Sequence, residues 1–304
     1  MTSTSSSSST WWKITLLPIQ QLPVEQINDH LDELGYELIE LGATSTAIQT
    51  PPEILAFFNG DKTAKDTYVS SINPQQLSVV DVLEVTDQNW NENCPEVWQP
   101  VHAKNLVVVP VSSADDPRPN PSSPAENPDQ IFMRIIPGQG FGTGHHPTTR
   151  MILEELSLYQ ETDSKPVNRI LDIGTGSGIL AIAAAKLFNA PIDATDIDQD
   201  ALNNASDNLN LNQVSSLVSL SLKDLPELNA PYEIILANVY GEVLVQMRDE
   251  ITRLAAPGAQ AFLSGVTELI KDLVIDSFIK NDDWSLVTER GERDWMCFVL
   301  KRAF

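Results

Sequence analysis

The chain has 304 residues, 42% hydrophobic and 20% charged, which excludes an intrinsically disordered protein and leaves room for two domains of ordinary size. With 19 Lys and Arg against 42 Asp and Glu, the net charge of -23 opposes a generic grip on nucleic acid backbone; it suits a basic protein partner or a cationic ligand, or serves solubility alone. No apolar run reaches the roughly 18 to 20 residues that span a bilayer, so no membrane partner is expected, and residues 1–10, MTSTSSSSST, lack the features of a secretory signal and read as a disordered tail.

The segment WWKITLL (11–17) is a predicted strand. VEQINDHLDEL (24–34) places Val24, Ile27, Leu31 and Leu34 at helical spacing, with Gly35 in the position of a C-cap glycine. YELIEL and TSTAIQT read as two strands, PPEILAFFN as a short helix opened by prolines, and LSVVDVLEV (77–85) as a strand. This order predicts a small α+β domain over 11–88, with helices covering one face of an antiparallel sheet. Residues 89–111 form a connector ending in the strand LVVVPV. Residues 112–130 are a Pro-rich loop, and IFMRIIPG then resumes as a strand at the start of a second domain, 131–304. LVVVPV and IFMRIIPG pair across the loop as an elaborated hairpin, or the loop is an interdomain tether.

From about residue 148 the pattern changes. TTRMILEELSLY is a predicted helix, followed by strands at 169–173, 191–196, 216–220, 232–237 and 259–264. Helices between them include GILAIAAAKLF, 199–210 and 242–255. The alternation predicts a mostly parallel α/β sheet with helices on both faces. WSLVTERGERDWMCFVLKR closes it as two strands around a short Gly-containing turn.

The segment ILDIGTGSGILAIAAAKLF (170–188) carries the chemistry. A strand ends at Asp172 and Ile173, and Gly174, Gly176 and Gly178 precede an apolar helix. Glycines there permit a tight turn and close approach of a ligand to the backbone, although an ordinary strand–turn–helix corner has the same pattern. The sixth position of the loop is Ile179, so the dinucleotide spacing GxGxxG is not met. The next strand, PIDATDIDQD, ends in acidic residues. Asp196, about 20 residues beyond the first loop glycine, suits the two hydroxyls of a ribose. Asp198 competes for that role, and either Asp198 or Asp200 can cap the following helix. A pyrophosphate beside Asp172 would be repelled, whereas the amino group and sulfonium of S-adenosylmethionine would not, so charge favours the methyl donor.

The stretches FGTGHHPTT (141–149), ILDIGTGSGILAIAAAKL (170–187), ATDIDQDALNNASDN (194–208), ILANVYGEVL (235–244) and APGAQAFLSG (256–265) closely resemble the ribosomal protein L11 methyltransferases, in the same order and across nearly the whole chain. The resemblance implies a Rossmann-like, seven-stranded methyltransferase domain preceded by a small ferredoxin-like domain that recognises the ribosomal protein. It implies a cytoplasmic enzyme that methylates amino nitrogens of ribosomal protein L11, on lysine side chains and the N-terminus, with S-adenosylmethionine as donor. Carried over by motif, Thr149 is a donor contact, Gly174 and Gly176 touch the donor through backbone, Asp196 is the ribose carboxylate, and Asn238 is the strand-end asparagine of the site. His146 matches the histidine of GTGxHxTT. Two departures stand out. Val239 and Tyr240 follow Asn238 where the family has Ile-Leu or similar, so Tyr240 either narrows the amine pocket or packs against the sheet. The Pro-rich loop is also longer than usual.

Methyl transfer needs a neutral amine, and a lysine with an ordinary pKa near 10.4 is charged at neutral pH. Desolvation and a neighbouring sulfonium cation both lower that pKa, so no strong base is required. Asn238 is the candidate for orienting the amine through its side-chain oxygen, or else it only fixes the strand-end loop. His146 either bonds the carboxylate end of the donor or shapes a lid, and Thr148 and Thr149 cap the helix beginning near Arg150. His145 and His146 lack the partners of a metal site, so none is expected. Trp11, Trp12 and Trp295 are expected to pack strands, and Trp90 and Trp98 to flank the connector. Cys94 and Cys297 form neither a disulfide framework nor a zinc site and are expected to be passive.

Overall fold

The structure, a computed structural model, describes residues 10–19, 31, 34–35, 37–39, 41–43, 45–49, 53–85, 99–111, 113–114, 116, 129–137, 144–162, 165–229 and 231–303. The tail 1–9, the start of the helix expected at 24–34, Trp90, Cys94, Trp98 and most of the Pro-rich loop lie outside the described residues. The chain divides into two compact units, Met1–Gln99 and Pro100–Phe304.

In the first unit, β1 (Trp11–Pro18), β2 (Ser45–Gln49), β3 (Glu53–Asn59) and β4 (Leu77–Val85) form an antiparallel sheet in the order β2-β3-β1-β4. Helical residues between β1 and β2, and helix α1 (Lys62–Ser71) between β3 and β4, complete a β-α-β-β-α-β ferredoxin-like arrangement. Ile14, Leu16, Ile54 and Ala56 of the sheet bury against Leu31, Leu34, Leu38 and Tyr68.

The first unit differs from the sequence expectations at Gly35, at YELIEL and at PPEILAFFN. Gly35 is helical, and the helical residues continue through Ile39, so the strand expected at YELIEL does not form. Leu31, Leu34 and Leu38 share the buried stripe of a helix that runs one turn further. The stop is Gly42, with φ of 117°: its N–H donates to Ile39 O and the N–H of Ala43 to Leu38 O, the paired bonds of a Schellman cap. PPEILAFFN is not a helix start. Glu53–Asn59 is a strand between β1 and β2, with Ile54, Leu55, Ala56 and Phe57 all buried. Helix α1 escaped the sequence pattern because Tyr68 is its only buried residue; its start is fixed by Asp61, which accepts from the Ala64 N–H at 2.8 Å.

The second unit opens with a three-stranded sheet of β5 (Val101–Ala103), β6 (Leu106–Pro110) and β7 (Ile131–Ile135). The hairpin joins β5 to β6, whereas β6 and β7 are parallel. The expected hairpin across the Pro-rich loop is therefore replaced by a crossover, which parallel neighbours require. Helix α2 (Pro147–Thr162) follows. The main sheet then alternates β8 (Ile170–Ile173), α3 (Ile179–Phe188), β9 (Ile192–Thr195), α4 (Gln199–Leu211) and β10 (Val218–Ser221). It continues with β11 (Tyr232–Asn238), α5 (Gly241–Leu254), β12 (Ala255–Thr267), α6 (Lys271–Ile279), β13 (Trp284–Glu292) and β14 (Trp295–Arg302). Seven strands lie in the order β10-β9-β8-β11-β12-β14-β13, parallel except for β14, which runs antiparallel to both neighbours.

Alternate residues of the central strands face two cores. Ile170, Ile234, Leu236 and Phe262 meet α2 and α3, while Leu171, Ile235, Ala237 and Leu263 meet α5 and α6. The turn of the terminal hairpin is Arg293–Asp294; Gly291, the glycine expected there, lies within β13. Strand order reverses between β8 and β11, and the crevice beyond their C-terminal ends is where open α/β sheets bind ligands.

Candidate active site

The loop leaving β8 is built for close approach. Gly174, Gly176 and Gly178 have φ of 68°, 54° and 81°, a region that L side chains avoid. A Cβ on Gly174 would meet Val239 Cγ1 at 2.7 Å, so the loop lies against the turn that follows β11. Two bonds from the end of β9 hold the loop: Thr175 N–H to Thr195 O at 2.9 Å and Gly176 N–H to Asp196 Oδ2 at 2.8 Å. The other oxygen of Asp196 accepts from the Asp198 N–H at 3.1 Å. Asp198 itself is the N-cap of α4, accepting from the Asp200 N–H, so the strand-end carboxylate and the helix cap are separate residues. Each oxygen of Asp196 keeps acceptor capacity for a ligand hydroxyl.

Asp172 is fully buried at the end of β8. Its Oδ2 accepts from Thr175 Oγ1 at 2.7 Å, and its Oδ1 has no hydrogen bond. Burial pushes the carboxyl up to about 7, opposed by hydrogen bonds from Thr175 and from the Ala181 N–H and helped by the charge of Asp196. A buried acceptor without a donor, beside a glycine loop, fits a ligand that brings an ammonium group.

Asn238, at the end of β11, donates from Nδ2 to Thr149 Oγ1 at 3.1 Å. This bond brings together two of the expected site residues from segments 89 positions apart. Thr148 and Thr149 are buried within the first turn of α2, with Pro147 as its first residue. They do not cap the helix; His146 does. The His146 Nδ1 accepts from the Thr148 N–H at 3.3 Å and lies 2.7 Å from Thr148 Oγ1, while His146 O accepts from the Arg150 N–H. A ring nitrogen that accepts from a backbone N–H leaves the imidazole proton on Nε2. Burial, with Arg293 and Arg150 nearby, holds the His146 pKa down at about 3, so the ring is neutral at working pH.

The terminal hairpin reaches the same place. The rings of His146 and Trp295 meet edge to face, 5.1 Å apart at 79°, and Arg150 pairs with Glu292. Trp295 was expected to pack the hairpin; its contact with His146 carried no signal in the sequence. A second unforeseen residue is Gly265, whose Cβ would lie 2.3 Å from Val239 O. It lets β12 run close beneath the Asn238–Val239 turn, where the Val239 N–H donates to Ser264 O. Tyr240 is the N-cap residue of α5 and is 53% exposed. Cys297 is buried, which raises its thiol pKa and leaves it unreactive.

A seven-stranded sheet of this order, with a glycine loop after its first strand and a carboxylate after its second, defines a methyltransferase that uses S-adenosylmethionine as its donor. The family described as ribosomal protein L11 methyltransferase (PrmA) matches residues 10–303. A relative from Geotalea uraniireducens, named ribosomal protein L11 methyltransferase, is 32% identical over 96% of this chain and 98% of its own length. A relative of the same name from Listeria monocytogenes is 30% identical over 86% of this chain and 77% of its own. The crystal structure of a ribosomal protein L11 methylase from Lactobacillus delbrueckii subsp. bulgaricus shares the fold, with a TM-score of 0.59 at 24% identity, covering 68% of this chain and all of that one. The chain belongs to the ribosomal protein L11 methyltransferase family.

Proposed function

We propose that this enzyme methylates amino nitrogens of ribosomal protein L11, on lysine side chains and the N-terminus, in the cytoplasm. The observation that carries the site assignment is the bond from Asn238 to Thr149, which joins the strand-end asparagine to the FGTGHHPTT segment beside the glycine loop. S-adenosylmethionine supplies an electrophilic methyl group on a sulfonium cation. Gly174 and Gly176 present backbone to it from a left-handed turn, Asp196 accepts from its ribose hydroxyls, and the orphan oxygen of Asp172 accepts from its ammonium group.

The acceptor amine must arrive without its proton. An apolar, water-poor slot next to a sulfonium cation lowers the amine pKa by desolvation and by like-charge repulsion. Neutral His146 adds no positive charge and takes no proton; its Nε2–H serves as a hydrogen-bond donor that shapes the slot. With Nδ2 of Asn238 tied to Thr149, Oδ1 is the atom left to accept an N–H of the amine and turn its lone pair toward the methyl carbon. Alignment of this kind accounts for roughly 7–11 kcal/mol in ideal cases.

The first unit, Met1–Gln99, recognises the protein substrate in this scheme, and the net charge of -23 steers a basic ribosomal protein toward the enzyme while disfavouring direct nucleic acid binding. Incubating the purified enzyme and labelled donor with total ribosomal proteins tests the substrate. A single labelled band at L11 supports the proposal; label found only on other proteins or on small amines overturns it.

A further inference from the structure

Strand β7 is an edge of its sheet, so its outer N–H and C=O groups need partners from elsewhere. Three asparagines one helical turn apart supply them: Asn204 and Asn208 of α4, and Asn212 at its C-cap. Asn212 accepts from the Arg134 N–H at 3.0 Å and donates to Arg134 O at 2.6 Å. Asn208 accepts from the Ile136 N–H at 2.7 Å and donates to Ile136 O at 3.1 Å, where Asn204 also donates. The side-chain amides stand in for a neighbouring strand.

Asn208 does one thing more. It is fully buried, and its Nδ2 also donates to Ser177 O at 2.9 Å. Ser177 lies between Gly176 and Gly178, and a Cβ on Gly178 would be 3.3 Å from Cβ of Ala205, so the loop is seated directly on α4. One amide therefore joins the glycine loop to the strand whose chain leads on to His146 and Thr149. We propose that Asn208 is a positioning residue for methyl transfer, setting the donor loop relative to the segment that delivers Thr149 and acting through Ser177 O and Ile136. The proposal rests on assigning Gly174–Gly178 to the donor.

Asn212 provides the control, since it makes the same pair of strand bonds, and one more to Asn208 O, without touching the loop. In the full-length enzyme, Asn208→Ala should weaken S-adenosylmethionine binding by about tenfold or more at temperatures where the variant is folded. Asn212→Ala should lower Tm to a similar extent and keep the donor Kd within about twofold of wild type. Asn208→Ser, which keeps a small polar side chain at this buried position, serves if the alanine variant fails to fold. Wild-type donor binding by a folded Asn208 variant, or equal weakening by Asn212→Ala, overturns the proposal. If neither Asn208 variant folds, hydrogen exchange on the wild type decides: donor must slow exchange at the Ile136 N–H together with the loop while the Arg134 N–H is unchanged, and an unaffected Ile136 overturns the coupling. Failure of the wild-type enzyme to bind donor would instead refute the assignment of the loop.

Discussion

Replacing Asp196 with alanine separates donor binding from the rest of the enzyme's work. The carboxylate anchors Gly176 and Asp198 through their N–H groups and offers its remaining lone pairs to the two ribose hydroxyls. A hydrogen bond to a charged acceptor contributes about 1.5–3 kcal/mol, so two hydroxyls set an upper range of about 3–6 kcal/mol. Asp196 is only partly buried, and screening favours the lower end of that range, about 3 kcal/mol. That corresponds to a rise in donor Kd of about a hundredfold. The two backbone donors lose their acceptor where water can replace it, a cost of about 1 kcal/mol, or a fall in Tm of about 2–4 °C. Isothermal titration of the variant with S-adenosylmethionine, paired with a thermal melt and a capture assay on L11, reads all three quantities. L11 capture should be unchanged. A cooperatively folded Asp196→Ala protein with a donor Kd within about threefold of wild type would refute the ribose assignment.

The buried Asp172, with its carboxyl at about 7, links the donor site to pH. Its folded pKa lies above the ordinary carboxylate value near 3.9, so the folded chain holds a proton that the unfolded chain has released, and stability falls as pH rises from about 4 to about 7. The ionised form is the one that pairs with an ammonium group, so donor affinity should rise through the upper part of that window; titrations at about pH 6 and pH 8 check this, and Asp172→Asn should flatten both dependences. His146, held near 3, should leave no imidazole step in the pH profile of kcat/KM between about pH 6 and 9, and His146→Gln should lower the rate without changing the profile's shape. Asn238→Asp places a negative charge where the amine must be neutral, so it should lower kcat by at least about tenfold while donor Kd changes little, as single-turnover and binding measurements would show. Removal of Met1–Gln99 should leave the Pro100–Phe304 unit able to bind donor but inactive on intact L11, as a methylation assay on the two forms would reveal.

The parallel centre of the main sheet was legible because β8, β9 and β11 are each a short apolar run ended by a turn residue and followed by a helix, as in ILDI, then GTGSG, then ILAIAAAKLF. The same rules failed where burial departs from the usual pattern. EILAFF is buried on both faces, so it lacks the alternation that marks a strand, and its two prolines mimic a helix start. KTAKDTYVSS is helical with a single buried side chain, and KDLVIDSFI, which was not foreseen, buries Val274, Ile275 and Phe278. The parallel pairing of β6 and β7 depends on where the Pro-rich crossover returns the chain, which composition does not encode.

For the site, the glycines and Asp196 were legible because loop conformation and strand-end position demand those residue types. The orphan oxygen of Asp172, the close passage of Gly265 beneath Val239 and the tie from Asn208 to Ser177 all join parts of the chain far apart in sequence. Asparagine to backbone carbonyl bonds leave no periodic trace, so ALNNASDNLNLN reads only as a polar helix face.

Mass spectrometry of ribosomal protein L11 after incubation with the purified enzyme and S-adenosylmethionine is the most direct test of the central claim. Methyl groups should appear on lysine side chains or the α-amino nitrogen, and only when the donor is supplied. An unmodified L11, or methyl groups confined to atoms other than amino nitrogens, would contradict it.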